Sequence, residues 1–293
     1  MYSYREIDYN KDLPAIISLL KEGFHKKRIL EDFKKKHIDN PFGKSYGLLA
    51  FEGDNLIALR MFLRWEFKHN NKLIKAIRPV DTVTHPQHQG KGIFKKITLM
   101  GLENCRNEYE LIFNTPNKNS FPGYIKMGWI RFPTNQQFKI VFTLPFFSNR
   151  TNVTPIDPSK LKIDFPFTNE KLTITNKSVS YFNWRYQDAR YKIAKIAVKN
   201  KNCFVVYRIE KRMGFNMLIL LELIGEASIH RIVLKKLAYF HRCFFIYYLE
   251  NKLLNYKPLF SFPKNNPVIV YKEDKLNIIT DILFSAGDLE GII

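Results

Sequence analysis

The sequence predicts an α/β chain whose second half repeats the order of its first. Three observations predict it. Apolar residues at helix spacing alternate with β-branched runs along the chain. A strand at Val80–Thr84 runs straight into a Gly-rich loop and a helical pattern. The order of three strands, a helix and a strand occurs once before residue 115 and again after residue 190. A length of 293 residues, 45% hydrophobic and 25% charged, suits a globular protein of two ordinary domains.

Each element has a reason. Tyr2 to Ile7 alternates as a strand. Leu13 to Phe24 places Leu13, Ile16, Ile17, Leu20 and Phe24 on one helical face, and Arg28 to His37 reads as a more polar helix that Asn40-Pro41-Phe42-Gly43 terminates. Gly47 to Phe51 and Leu56 to Phe67 form a hairpin around Glu52-Gly53-Asp54-Asn55, and Ile74 to Thr84 is the next strand. Ile93, Phe94, Ile97 and Met100 give the following helix its apolar stripe. Leu111 to Phe113 is a short strand, and Ser120 is the expected N-cap of a helix over Phe121 to Met127.

The chemistry concentrates at Thr84-His85-Pro86-Gln87-His88-Gln89-Gly90-Lys91-Gly92. Two glycines let the backbone approach a bulky anion. The helix behind them directs free amides and the positive end of its dipole at that anion, and Lys91 adds a charge. The loop lacks the Gly-Lys-Ser/Thr of a P-loop and the Gly-x-Gly-x-x-Gly of a dinucleotide fold.

Gln87-x-x-Gly90-x-Gly92, between strand and helix and after Thr84-His85-Pro86, resembles the acetyl-CoA signature of the GNAT N-acetyltransferase superfamily. Tyr124-x-Lys126-x-Gly128-Trp129 resembles a second segment of that family. The resemblance implies a mixed-sheet GNAT fold. It implies that the pyrophosphate of acetyl-CoA rests on the loop at Gln87, His88, Gln89, Gly90, Lys91, Gly92, Ile93 and Phe94, and that the pantetheine arm pairs with the strand edge at Val83 and Thr84. By the same resemblance Tyr124 is the general acid for the departing thiolate. Asn117 and Asn119 are candidate polar contacts to the cofactor, or plain turn formers. Asp81 is the acid in an apolar strand, a costly place for one. It is a candidate base or binder of the acceptor's ammonium, or else a partner for a nearby arginine such as Arg78. His85 and His88 read as solvated loop residues.

In the second half, Val179 to Tyr186 reads as a short helix with an aromatic face. Lys192 to Val198, Cys203 to Ile209 and Met217 to Ile224 read as strands. Ser228 to Phe240 reads as a helix with Ile232, Val233, Leu237 and Phe240 inward, and Cys243 to Leu249 as a last strand. Gly225-Glu226-Ala227-Ser228 stands where the Gln-x-x-Gly-x-Gly would be. The Phe182-x-Trp184-Arg185-Tyr186 region is similar to two-domain bacterial GNAT proteins. This implies a tandem fold with a degenerate second copy: residues 1–145 as the acetyl-CoA domain, 146–168 as linker and 169–293 as the second copy. Phe138 to Thr143 is expected to close the first domain. Trp184 and Tyr186 are candidates for lining an acceptor cleft.

Cys105, Cys203 and Cys243 have no metal-ligand spacing, so no metal is expected, and they imply neither a disulfide framework nor anything but a reducing cytoplasm. No apolar run reaches membrane-spanning length, and the N-terminus has no signal-peptide layout. The formal net charge of +20 exceeds what CoA alone demands. It is a solvated surface or it serves an anionic glycan, nucleotide-sugar or tRNA, with Lys26-Lys27-Arg28 and Lys34-Lys35-Lys36 the densest clusters. Three function classes follow: an acetyl-CoA-dependent N-acetyltransferase acting on a small amine such as an amino sugar, a tRNA-dependent aminoacyl transferase of the paired-GNAT type, and a non-catalytic acyl-CoA-binding protein. The intact loop favours the first.

Overall fold

A computed structural model describes residues 1–24, 29–133, 136–143, 153–157, 172–256, 258, 261–264 and 266–289. In chain order the elements are β1 (Tyr2–Glu6), α1 (Leu13–Phe24), α2 (Ile29–His37), β2 (Tyr46–Glu52), β3 (Asn55–His69), β4 (Lys72–Thr84), α3 (Ile93–Asn104), β5 (Leu111–Asn114), α4 (Phe121–Lys126) and β6 (Ile130–Arg131). They continue with β7 (Phe138–Phe142), β8 (Val153–Pro155), β9 (Ile174–Thr175), α5 (Val179–Tyr186), β10 (Lys192–Val198), β11 (Lys201–Arg212), β12 (Phe215–Gly225), α6 (His230–Phe240), β13 (Cys243–Leu249), β14 (Phe262–Pro263) and β15 (Val270–Asp274). The chain divides into two units, one of residues 1–132 and 268–279, the other of 133–267 and 280–293.

The first unit has a mixed sheet in the order β1-β2-β3-β4-β5-β15-β6. Asn70 and Asn71, both with positive φ, turn β3 into β4, as a tight hairpin of matching twist requires. Strand alternation sends neighbours to opposite faces. Leu48, Ala50, Phe62 and Ile77 face Ile93, Ile97 and Tyr124 from α3 and α4. Leu49, Leu59 and Met61 face Ile16, Ile17, Leu20 and Phe33 from α1 and α2. Each such fully buried side chain contributes roughly 1.5–3 kcal/mol. The inward stripe of α3 differs from expectation at its end. Met100 is exposed, and Thr98, Gly101 and Leu102 are buried instead.

The second unit has the order β14-β7-β13-β12-β11-β10-β8. It repeats the first: β10, β11 and β12 are antiparallel like β2, β3 and β4, α6 follows as α3 does, and β13 is parallel to β12 as β5 is to β4. One core gathers α6 (Val233, Leu234, Leu237) with Val205, Leu218, Ile246 and Tyr248. Ile232 and Phe240, expected inward, are exposed; the helix begins at His230, and Leu234 and Ala238 take the inward positions.

Two boundaries are corrected. Phe138–Phe142 does not close the first domain. It pairs antiparallel with β13, Phe142 opposite Phe245, and Phe138 stacks on Tyr247 at 5.2 Å. The place beside β5 is taken by β15, from the far end of the chain, with Val270 opposite Asn114. The first unit therefore ends at Phe132, not 145, and regains a strand from beyond residue 267. The expected linker 146–168 contains β8, which pairs with β10. Its remaining residues other than Ile156 and Asp157 lie outside the described residues, as do Lys26, Lys27 and Arg28.

Candidate active site

The site lies in the first unit where β4 and β5 part. Their parallel pairing covers Ala76 with Leu111 and Ile77 with Ile112 and stops there. Beyond it, β4 continues to Thr84 with β3 on its other side. The β3 register slips in that stretch. Leu59 stands opposite Val83 and Met61 opposite Val80, so Asp81 and Thr82 together face Arg60. This is a β-bulge, and Asp81 sits in it with φ of 43°. The Thr82 hydroxyl there is buried and has no hydrogen-bond partner among the described residues.

After Thr84 comes a single 3-10 turn, Pro86–His88, and then the loop. His85 Nδ1 accepts from the Gln87 amide at 3.4 Å, the Gln89 amide donates to Pro86 O at 3.3 Å, and the Gln89 side chain donates to Thr84 O at 3.1 Å. The Gln87 and Gln89 amides are thus spent on shaping the turn. Gly90 and Gly92 have φ of 76° and 77°, and a Cβ on either would meet no protein atom within 4 Å. Gly92 is the N-cap of α3 and supplies no side-chain hydrogen bond to it. The orphan amides at the start of α3, with the dipole behind them, therefore look into open space. That is what a phosphate cradle needs, and the residues present fit a CoA pyrophosphate. His88 is buried, contrary to the expectation of a solvated residue, and Tyr2 Oη lies 3.0 Å from its Nδ1.

Tyr124 is buried on α4 among Phe94 and Trp129, whose rings lie edge-on at 5.9 and 4.8 Å. Its hydroxyl accepts a hydrogen bond from Asn114 Nδ2 at 2.6 Å and a second from the Arg60 guanidinium. The turn before α4 is built by Asn117 rather than by Ser120. Asn117 Oδ1 accepts from the amides of Asn119 and Ser120, at 3.1 and 2.9 Å, and Ser120 makes no side-chain cap.

The partners of Asp81 are a lysine and a histidine of α2, where an arginine such as Arg78 was the expected alternative. Asp81 Oδ2 accepts from His37 Nε2 at 2.7 Å and its Oδ1 from Lys36 Nζ at 2.9 Å. His37 is fully buried, and its Nδ1 lies 2.9 Å from Ser45 Oγ. Burial alone would raise the Asp81 pKa. The Lys36 ammonium and the His37 N–H outweigh it and hold the carboxyl well below the usual carboxylate range. Burial lowers the His37 pKa against the pull of Asp81. A neutral His37 therefore donates from Nε2 to Asp81 and accepts a hydrogen bond from the Ser45 hydroxyl at Nδ1. Sequence reading missed Arg60, Asn114, Lys36 and His37. Arg60 carried a signal of the same kind as Asp81, being one charge inside the apolar run Leu59 to Leu63.

A family model described as an acetyltransferase (GNAT) domain matches residues 3–131. Residues 3–131 are a GNAT acetyltransferase domain. The chain thus carries an acyltransferase domain, and its solved neighbours share the fold. A probable N-acyltransferase from Enterococcus faecalis superposes with a TM-score of 0.71 at 12% identity, covering 94% of this chain and 73% of that one. A GCN5-related N-acetyltransferase from Anabaena variabilis gives 0.70 at 8% identity, covering 92% and 72%. One from Kribbella flavida gives 0.67 at 12%, covering 94% and 72%. No curated protein matches the sequence. The structural likeness extends over both units, and the repeated strand and helix order of the second is consistent with a tandem arrangement of the fold.

That second copy lacks the open features of the GNAT domain. Pairing of β12 with β13 ends at Ile219 opposite Tyr247, so the strands part as β4 and β5 do, but the chain itself fills the gap. The Gly287 amide donates to Leu221 O at 3.1 Å, and a Cβ on Gly287 would lie 1.9 Å from Tyr186 Oη. Lys177 Nζ, buried, bonds Glu222 Oε2 at 2.7 Å, and Tyr186 donates to Glu222 Oε1 at 2.8 Å. At the start of α6, Glu226 bonds Ser228 and Lys201, a carboxylate where the first copy leaves room for an anion. Trp184 and Tyr186 are both buried.

Proposed function

We propose that this chain is an acetyl-CoA-dependent N-acetyltransferase that acetylates a primary amine of a small molecule, amino sugars being the first class to try. One observation carries the reading: an uncapped helix start behind two left-handed glycines, beside a strand edge that has lost its neighbour. When bound, acetyl-CoA supplies an activated acyl group as a thioester. The remaining work falls to the chain's own residues. The amides from Gly90 to Phe94 and the Lys91 ammonium hold the pyrophosphate. The free edge of β4 at Val83 and Thr84 orients the pantetheine arm, and Thr82 offers a hydroxyl at the bulge. Tyr124 delivers a proton to the sulfur as it departs.

Asp81 suits one of its two candidate roles better than the other. A carboxylate held so far below its usual range does not take a proton from an ammonium near neutral pH. It does keep its negative charge, so we assign it to holding the cationic acceptor, with the His37 N–H fixing its orientation. Asn117 is committed to its turn through Oδ1, so only its amide group and the Asn119 side chain remain as cofactor contacts.

The test is calorimetric titration with acetyl-CoA, free CoA and a tRNA mixture, followed by a rate assay of Tyr124→Phe with an amino sugar. Micromolar acetyl-CoA binding is expected, with kcat reduced by about 10²-fold in Tyr124→Phe and Kd nearly unchanged. Binding of tRNA without CoA would replace this reading with the aminoacyl transferase. Tight acetyl-CoA binding without transfer to any amine would make it a binding protein.

A further inference from the structure

We propose that Arg60 is a positioning residue for acyl transfer, fixing the Tyr124 phenol so that its proton points only toward the acyl donor; the proposal rests on Tyr124 being the acid.

A phenol oxygen has one proton and two acceptor lone pairs. At Tyr124 both lone pairs face donors. A guanidinium has no acceptor, and Asn114 presents its NH2 group at 2.6 Å. The hydroxyl proton then has no acceptor among its two partners and is directed elsewhere. Tyr124 in this arrangement accepts from both neighbours and can donate its proton to neither. When the phenol passes its proton to the departing sulfur, the charge left on its oxygen already faces two N–H donors, one of them cationic. The proton that the amine loses on forming the amide balances the one that the sulfur gains.

The surroundings of Arg60 support a role beyond folding. The residue is buried in β3, opposite the β4 bulge. No carboxylate among the described residues lies within ion-pair distance of it, and its Nε is buried without a partner. Its guanidinium carbon lies 5.4 Å from the Phe94 ring centre, 5.5 Å from Tyr124 and 5.9 Å from Phe62. Aromatic faces attract a cation but do not replace a counter-ion. A buried charge without one lowers stability, and apolar residues of similar volume commonly do better in such places. An arginine that only held the fold together would be a poor choice here. A charge kept beside a phenol that must transiently become anionic has a use.

The experiment compares Arg60→Met, Arg60→Lys, Tyr124→Phe and the double variant Arg60→Met/Tyr124→Phe in the full chain. Melting temperature, acetyl-CoA Kd, and kcat and KM with one amine are measured, together with the [13Cζ]-tyrosine resonance assigned by its loss in Tyr124→Phe. Arg60→Met is expected to keep or raise the melting temperature, to shift the Tyr124 resonance and to lower kcat at least tenfold with KM for acetyl-CoA little changed. Arg60→Lys recovers part of the rate. The double variant is no slower than Tyr124→Phe, because Arg60 acts through that hydroxyl. A lowered melting temperature with unchanged kcat per folded molecule would overturn the proposal and make Arg60 structural. Multiplying losses in the double variant would overturn it too. An unchanged kcat in Tyr124→Phe alone would remove the acid assignment itself, a result that is separate from the Arg60 measurements.

Discussion

Substituting Gly92 by Asp and by Asn separates shape from charge at the proposed phosphate cradle. Gly92 has φ of 77°, and a Cβ there meets no protein atom within 4 Å. The protein cost of either substitution is thus conformational, about 1 kcal/mol for a left-handed residue and less for Asn and Asp, which tolerate that region. Asn and Asp are nearly equal in size, so they crowd the ligand equally. They differ by one negative charge. At about 6 Å from a phosphate charge, with an effective dielectric constant of 20 to 80, the repulsion is roughly 0.7–2.8 kcal/mol. Gly92→Asp should then bind acetyl-CoA about 3- to 100-fold more weakly than Gly92→Asn. Calorimetric titration at low and high salt gives both constants, and the gap should narrow as salt screens the exposed loop. Equal affinities for the two variants, at melting temperatures that also match, would refute the placement of the anion on this loop.

Two further outcomes follow from the same structure. Acetyl-CoA should bind with one site per chain, because the second copy's strand gap is filled by its own backbone at Gly287; a calorimetric stoichiometry of two would contradict this. Acid stability should depend on His37. Its pKa is lowered by burial in the folded state, so the unfolded chain takes up the proton first and stability falls as pH drops below about 6.5. His37→Gln should be less stable at neutral pH and should lose less between about pH 6.5 and 4.5, checked by denaturant unfolding across that range; parallel curves for the two proteins would exclude this role.

The parts of the site legible in the sequence were those made of backbone. Gly90 and Gly92 declare a left-handed turn, Pro86 ends the strand, and the apolar spacing from Ile93 declares the helix that aims at the loop. The parts that were hidden depend on partners remote in sequence. Arg60 meets Tyr124 across 64 positions, and His37 meets Asp81 across 44. No periodicity encodes which strand faces which helix. Asp81 and Arg60 were visible as charges in apolar strands. What each was paired with was not. Asp81 drew Lys36 and His37 because its bulge turns it toward the face of α2, away from a strand neighbour such as Arg78.

The strand that was misplaced shows why the halves are readable and their border is not. Phe138–Phe142 alternates as a strand must, and alternation cannot say which sheet it joins. It leaves the first half and pairs with β13, the counterpart of β5 in the second; β15 leaves the second half and pairs with β5 itself. Each sheet is thus completed, beside the strand that borders its gap, by a strand from the other half of the sequence. The exchange protects an edge in both sheets that would otherwise stand unpaired. It also means that a chain ending at Phe132 lacks the strand beside β5, where Asn114 is paired with Val270 and holds the Tyr124 hydroxyl. The first unit is thus discontinuous in sequence, and its sheet is complete only when residues 268–279 return to it.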